Sequence, residues 1–366
     1  MVNYQGVAVP GMVETHVGFV GLTNPHAGSY LESLEVLPVE LTAGVGADDC
    51  DGEAKSNSDA VRTTYEDPET MFQEEELDAV WLSLSNRATP DVIELAAEYG
   101  LHVFAEKTLA RNASELAEVI KTVEDAGIVV VAGYLNRANS VPRELRSLVA
   151  DDFFGDLRAV EARMITSQLD RYRDTSGYVY DRTESRGGIL QWLGCHMIDL
   201  LYFILNEPIT RVNAQVQYGA TTADVEDGAT IQYELAESKA LGTLQAGYYD
   251  REYDMYLAIH GMDGRAAWPR KHTPLGQEEL HIEEFADNYS VTPDRTYEYD
   301  FDEAPGYGGT IGLAYMQNFL SRINGESFDT DLNADIQDAH RVLRFLDAVY
   351  ESAETGVWVE VEQVRE

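Results

Sequence analysis

Three stretches of the chain carry residues whose types and spacing can do chemistry. The first is "GFVGLTNPHAGSYLESL" at 18–34, where Gly18 and Gly21 stand at the point where an apolar strand should turn into a helix. In a dinucleotide-binding turn of the G-x-G-x-x-G kind, the first glycine permits the tight turn. The second lets the backbone approach a pyrophosphate, and the third lets the helix pack on the strand. Gly21 meets the first requirement, but Thr23 and His26 occupy the second and third positions, with Gly28 just beyond. The helix N-terminus remains an anion site whatever the loop sequence, through its leading N–H groups and dipole. Thr23 or Asn24 can cap it.

The second stretch is "HVFAEKT", which sets Lys107 just after an apolar run. At the carboxyl end of a parallel strand, an ammonium can hydrogen-bond a reacting oxygen or, once desolvated, join proton transfer. The plainer reading is a surface lysine paired with Glu106. The third stretch is "GGILQWLGCHMIDLLYFIL", apolar on nearly all sides, with Asp199 three residues after His196 and Trp192 four before it. An imidazole there can take up or release a proton near neutral pH. A satisfied core histidine is the plainer alternative. Asp199 reads as a helix anchor or a supporting residue. Trp192 cannot accept a proton, and core packing is its plain reading. Gln191 beside it can hydrogen-bond hydroxyls.

The elements that must position these residues fall into two textures. Through the first third, short apolar runs alternate with amphipathic stretches, the pattern of βαβ units. Five strands ("HVGFVGL", "VELTAGVG", "DAVWLSL", "HVFAEK", "IVVVAGYL") separated by helices predict a doubly wound parallel sheet over residues 14–137. Over residues 138–366, long alternating strands such as "LRAVEARMITSQL" and "YDMYLAIHG" predict an α+β domain with a large open, mainly antiparallel sheet. Arg163 and Gln168 leave a strand expected to line that domain's pocket, with Tyr178 and Tyr180 in the following loop; a solvated face accounts for them as well.

Composition sets the limits. In 366 residues, 65 acidic side chains face 26 basic ones, for a formal net charge of −39. The acids are spread along the whole chain, a distribution expected of a protein adapted to a salt-rich, haloarchaeal type of cytoplasm. There a Debye length of about 3 Å at molar salt screens the self-repulsion. No basic patch is available to neutralise phosphates, so nucleic acid is excluded as a partner. No unbroken apolar run of about 18 residues suggests a membrane span, and the first residues lack a secretory pattern. With two cysteines, Cys50 and Cys195, a disulfide scaffold is excluded and a metal site is not expected.

Three motifs in order carry a resemblance. "LHVFAEKTLARNASELAEVIKTVEDAGIVVVAGYLNR", "GGILQWLGCHMIDLLYF" and "AVYESAETGVWVEV" resemble the glucose–fructose oxidoreductase/inositol dehydrogenase/rhizopine-catabolism family. The resemblance implies a Rossmann domain and an NAD(P)-dependent oxidoreductase acting on sugars, inositols or related polyols. It also implies a homo-oligomer, dimer or tetramer, formed through the second domain's sheet. Residue by residue, Lys107 matches the family's catalytic lysine, with Thr108 in place of its proline, and His196 matches the catalytic histidine. Trp192 replaces a family Asp; in such a site its indole would stack on a pyranose face, wall off the nicotinamide, or pack in the core. Glu106 and Asn86 fall in motifs that meet the cofactor, beside the turn residues Gly21, Thr23, Asn24 and His26. Gly46 stands where the family's ribose-binding acid sits; Asp48 follows within reach, and a carboxylate there would repel a 2′-phosphate and favour NAD over NADP. The expected activity is hydride transfer between nicotinamide and a sugar or polyol. The competing expectations are transient oxidation serving glycoside cleavage or epimerisation, and a sugar-binding or regulatory protein without cofactor.

Overall fold

A computed structural model describes residues 15–46, 57–171, 175, 177–219, 222–270, 277–285, 294–300 and 303–363. The chain divides into two compact units, the first made of residues up to Ala110, Ser114–Ala138 and Glu303–Ala339. The second comprises Arg111–Ala113, Asn139–Asp302 and the residues from His340 onward.

The first unit alternates strand and helix: β1 (Thr15–Val20), α1 (Ala27–Val36), β2 (Val39–Val45), β3 (Thr63–Tyr65), α2 (Pro68–Glu74), β4 (Ala79–Leu82), α3 (Thr89–Glu98), β5 (His102–Ala105), α4 (Ala113–Ala126) and β6 (Val130–Ala132). The central strands are apolar runs buried on both faces, as a parallel sheet covered by helices requires. Local signals start and orient the helices. Asp67 accepts a hydrogen bond from the Thr70 N–H at 2.8 Å, and Pro68 opens α2. In α4, Ala113, Leu116, Val119 and Val123 are buried while Glu118, Glu124 and Asp125 face water.

Seven strands form this sheet, in the order β15-β6-β5-β4-β1-β2-β3. All neighbours pair parallel except β15 (Ala334–Asp335), which runs antiparallel to β6. Five strands were readable as apolar runs. The two added ones are short edge strands, "TTY" and "AD", without an apolar signature. The chain reverses direction across the sheet between β1 and β4, so the carboxyl ends of these strands flank the place where such folds bind ligands.

The alternating pattern ends the first domain at 137, whereas the structure adds Glu303–Ala339 to the same unit. The reason is packing. α8 (Gly309–Ile323) buries Leu313, Tyr315, Met316, Phe319 and Leu320 in one cluster with Trp81 and Phe104. Trp81 stacks on Phe104 at 5.0 Å, and Phe319 meets Trp81 edge-on at 5.4 Å. The Tyr315 hydroxyl donates to the Ala132 carbonyl at 2.6 Å and accepts from the Ala334 N–H at 2.8 Å, fastening β15 to β6.

The second unit holds α5 (Ser140–Ala150), β7 (Leu157–Ser167), α6 (Arg182–Ser185), α7 (Cys195–Leu205), β8 (Ile209–Gln217), β9 (Gly228–Leu235), β10 (Leu241–Asp250), β11 (Asp254–Gly261), β12 (Gly264–Pro269), β13 (Gln277–Glu284), β14 (Asp294–Asp300), most of α9 (Ile336–Thr355) and β16 (Val359–Glu360). Its nine-stranded sheet has the order β14-β13-β12-β11-β7-β10-β9-β8-β16. Only the β7–β10 pair is parallel, so the expected mainly antiparallel sheet is present. By length and composition the stretch Arg182–Leu205 could cross a membrane, but 89% of its apolar window is buried within the protein, as in a core helix.

If α8 completes the core of the first unit, Phe319→Ala should destabilise that unit by about 3–5 kcal/mol. Denaturant unfolding followed by the fluorescence of Trp81 reads this; a loss under about 1 kcal/mol would place Phe319 outside the core.

Candidate functional site

In the first unit, the turn after β1 and the end of β5 meet through one carboxylate. Gly21 has φ +104°, and a Cβ there would lie 2.1 Å from the Ser83 carbonyl oxygen, so the position admits only glycine. The N–H groups of Gly21 and Leu22 both donate to the Val45 carbonyl at 3.1 Å, and the Asn24 N–H donates to the Gly21 carbonyl at 2.9 Å, closing the turn. Thr23, at the second glycine position, is exposed. Neither Thr23 nor Asn24 is the N-cap of α1. That residue is His26, and no side chain bonds the helix end there. Asn24 acts one step earlier, accepting the His26 N–H on its side chain at 3.0 Å and the Ala27 N–H on its carbonyl at 2.9 Å.

His26, at the third glycine position, is partly buried with its ring engaged by two side chains. The imidazole lies 5.1 Å from the Tyr307 ring, with Nδ1 3.0 Å from Glu106 Oε1. The Tyr30 hydroxyl donates to the same oxygen at 3.0 Å. The other oxygen, Oε2, accepts the Lys107 N–H at 3.2 Å and stands 4.0 Å from Lys107 Nζ. Glu106 is 2% and Lys107 3% exposed, so Lys107 is no surface lysine, although Glu106 is its ion-pair partner. The Lys107–Thr108 peptide is cis, and the Thr108 hydroxyl donates to the Ala110 carbonyl at 2.7 Å. Asn86 is buried in the loop after β4. Asp48, proposed from sequence for the ribose, lies outside the described residues.

In the second unit, the helix bearing His196 opens unusually. Leu190–Gly194 is a π-helical turn that runs into α7, so Trp192 and His196 are not separated by an ordinary α-helical turn as the sequence spacing suggested. Such turns recur at functional sites because they re-aim side chains. Between 187 and 205 every residue is buried except Trp192 and His196. Asp199, 1% exposed, belongs to the buried set. Trp192 stacks on Tyr248 at 5.9 Å and 24°, with Tyr180 edge-on to Trp192 at 6.1 Å. Gln191 is buried and donates to the Arg111 carbonyl at 2.8 Å, which gives it a scaffolding bond within this unit.

Glu226 holds the start of this helix, a role without any local signal because the residue lies 36 positions from its partner Leu190. Its Oε1 accepts the Leu190 N–H at 3.0 Å and the Tyr350 hydroxyl at 3.1 Å, and its carbonyl accepts the Ile189 N–H at 3.2 Å. A Cβ on Gly188 would lie 2.2 Å from that carbonyl, which accounts for a glycine there. Burial raises the Glu226 carboxyl above its ordinary value, while hydrogen bonds from Gly188, Leu190 and Tyr350 act the other way.

One of the proposed pocket residues, Arg163, stands elsewhere. Gly194 faces Ala246 of β10, which pairs with Met164 of β7; alternation then turns Arg163 to the opposite face of the sheet. There Arg163 forms a two-point ion pair with Asp254, at 3.0 and 3.1 Å, and covers the Tyr256 ring. Gln168 lies past the end of β7, its N–H bonded to the Asp250 carbonyl. Tyr180, by contrast, joins Trp192 and Tyr248. Among the described residues, no group of three or more His, Cys, Asp or Glu side chains is arranged to hold a metal ion.

Residues 15–134 match the oxidoreductase family with an NAD-binding Rossmann fold, and residues 143–267 match the C-terminal domain of the same GFO/IDH/MocA family. The chain belongs to this family. A D-xylose 1-dehydrogenase (NADP(+)) of Haloferax volcanii is 26% identical over 355 residues, covering 94% of this chain and 99% of that protein. A myo-inositol 2-dehydrogenase of Thermotoga maritima is 25% identical over 214 residues, 56% of this chain and 60% of that one. Among solved structures, levoglucosan dehydrogenase in complex with NADH and L-sorbose superposes with a TM-score of 0.80 at 19% identity, covering 96% of this chain and all of that one. The expected architecture and family are therefore both present.

The buried cap supplies a pH test. With the folded carboxyl of Glu226 raised above its ordinary 4.5, the folded state holds this proton more tightly than the unfolded one. Its contribution to stability is therefore full below 4.5 and declines as pH rises through the window above that value. Glu226→Gln should remove this part of the slope, seen as a smaller loss of stability in denaturant melts between pH 4.5 and 7; an unchanged slope would mean the carboxyl ionises normally.

Proposed function

We propose that this family member is a nicotinamide-dependent dehydrogenase of a cyclic sugar or related polyol. The observation that carries the reading is the Glu106 junction, which joins the dinucleotide turn to a buried lysine in the position the family uses for chemistry. The residues present suit the cofactor. Gly21 keeps the tight turn, and the leading N–H groups of α1 are not consumed by a side-chain cap. His26 at the third glycine position bends aside toward Glu106 rather than filling the turn.

When bound, nicotinamide supplies a hydride acceptor for oxidation of the alcohol carbon, or a donor in the reverse direction. This chain's part is to orient the alcohol and manage its proton. Lys107, buried and held through its N–H and its ammonium by Glu106, presents a fixed positive group to an oxygen that gains negative charge as the C–H bond breaks. His196 is one of two side chains on its helix open to an incoming molecule, and its imidazole accepts the hydroxyl proton. With Trp192 in the place of a carboxylate, no acid at 192 orients the imidazole; Glu226, bonded to the Leu190 and Ile189 N–H groups, holds the start of the helix that carries it.

Asp48 favours NAD over NADP, whereas the Haloferax relative is named for NADP. The acid excess favours a salt-rich cytoplasm, and the second unit's open sheet offers a face for self-association into a dimer or tetramer.

Titration with NAD⁺ and NADP⁺ in molar KCl should show micromolar binding, with NAD⁺ tighter by about tenfold. The reverse order would reassign the cofactor, and no binding of either would end the dehydrogenase reading. Lys107→Ala should lower kcat/KM on a sugar by on the order of 10²–10⁴-fold with cofactor affinity retained; unchanged turnover would remove Lys107 from the reaction. Thermal midpoints should climb steadily as KCl is raised from about 0.1 to 2 M, as screening of the net charge requires. A flat profile would contradict adaptation to salt.

A further inference from the structure

Trp192 stands one position after the buried Gln191 on the π turn, and the structure shows what has been built around it. Its N–H donates to the Gly188 carbonyl at 2.9 Å, so the backbone is fixed at the start of the π turn. One side of the indole is backed by Tyr248, nearly parallel and itself buried, and Tyr180, also buried, braces it edge-on. Three aromatic rings thus form a rigid block whose partly exposed member is Trp192. The only other partly exposed side chain between 187 and 205 is His196, four residues on.

We propose that Trp192 is the specificity-determining residue beside His196, and that it selects substrates presenting a rigid ring face over open-chain alditols. The inference rests on the dehydrogenase reading above and adds to it the form in which the substrate is taken. A pyranose or cyclitol offers a flat array of C–H bonds on one face, which stacks on an indole while the hydroxyls remain at the rim. An alditol has no persistent flat face and must give up chain rotamers to make one. The block is held before the ligand arrives, so stacking costs little ordering of the protein. A carboxylate at 192 would instead grip hydroxyls, which ring and chain forms share. In a core-packing role the indole would be enclosed like its two braces, but it is not.

The test is calorimetric binding to the cofactor-loaded protein in molar KCl, using D-xylose against xylitol and D-glucose against sorbitol, with Trp192, Trp192→Phe and Trp192→Ala proteins. The natural protein should bind each ring sugar about tenfold more tightly than its alditol. Trp192→Ala should abolish that preference by weakening only the ring forms, and Trp192→Phe, which keeps the packing on Tyr248, should fall between. Where turnover is measured, the change should appear in KM for the ring sugar far more than in kcat. Equal affinity for ring and chain forms in the natural protein, or an equal loss for both in Trp192→Ala, would overturn the proposal. So would a loss of NAD(P)⁺ affinity with sugar binding unchanged, which would make the indole a wall for the nicotinamide. Failure of the dehydrogenase reading is separately visible as ring-selective sugar binding without cofactor binding or turnover.

Discussion

A carboxylate cannot be left bare in a protein interior, and the first unit is organised around that constraint. Glu106 is buried at the carboxyl end of β5, and desolvation on this scale is tolerated only when hydrogen bonds and opposite charge surround the group. His26, Tyr30 and the backbone and ammonium of Lys107 supply them, each from a fixed direction. Satisfying one side chain therefore sets three things together: the path of the chain into α1, the seating of that helix on the sheet, and the place of the lysine. A turn that has lost two of its expected glycines keeps its geometry because the histidine that replaced one of them has become a partner of the buried acid.

The second unit solves a comparable problem with opposite means. There the helix carrying His196 is sunk in apolar surroundings, and its leading N–H groups would be stranded without Glu226. Once that end is held, the π turn can bring two side chains out of an otherwise buried helix. Rigidity at the hidden end permits exposure at the useful one. The aromatic block behind Trp192 works the same way, since Tyr248 projects from the face of β10 that the helix covers.

Much of this was readable from the chain alone, and the failures have identifiable causes. The parallel sheet and the alternating strands of the second unit followed from periodicity, and so did the place of Lys107 just after β5 and of His196 on an otherwise buried helix. Two edge strands of the first sheet were missed because they are two or three residues long and polar. Arg163 was expected at the pocket, yet period-2 alternation relative to Met164 carries it to the other face; one sequence does not reveal which face a helix will cover. Trp192 and His196 looked like neighbours on an α-helix, and no residue signals the π turn between them. Glu226 was invisible because its role is defined by a partner far along the chain. The altered glycine turn looked damaged in sequence, since the compensating contact from His26 to Glu106 spans 80 residues.

The return of 303–339 to the first unit has a consequence for how the chain is made. Translation delivers the parallel sheet early, but the ring that covers Trp81 and Phe104 belongs to Phe319 and emerges only after eight of the nine strands of the second sheet, β7 to β14, have been synthesised. The nascent Rossmann sheet must wait on the ribosome with an aromatic face open to water, while a second domain is spun out from its middle. A domain built this way cannot mature in simple N-to-C order. Its last wall arrives late, so a ribosome that stalls within the second sheet releases a chain whose first core is still open on one side.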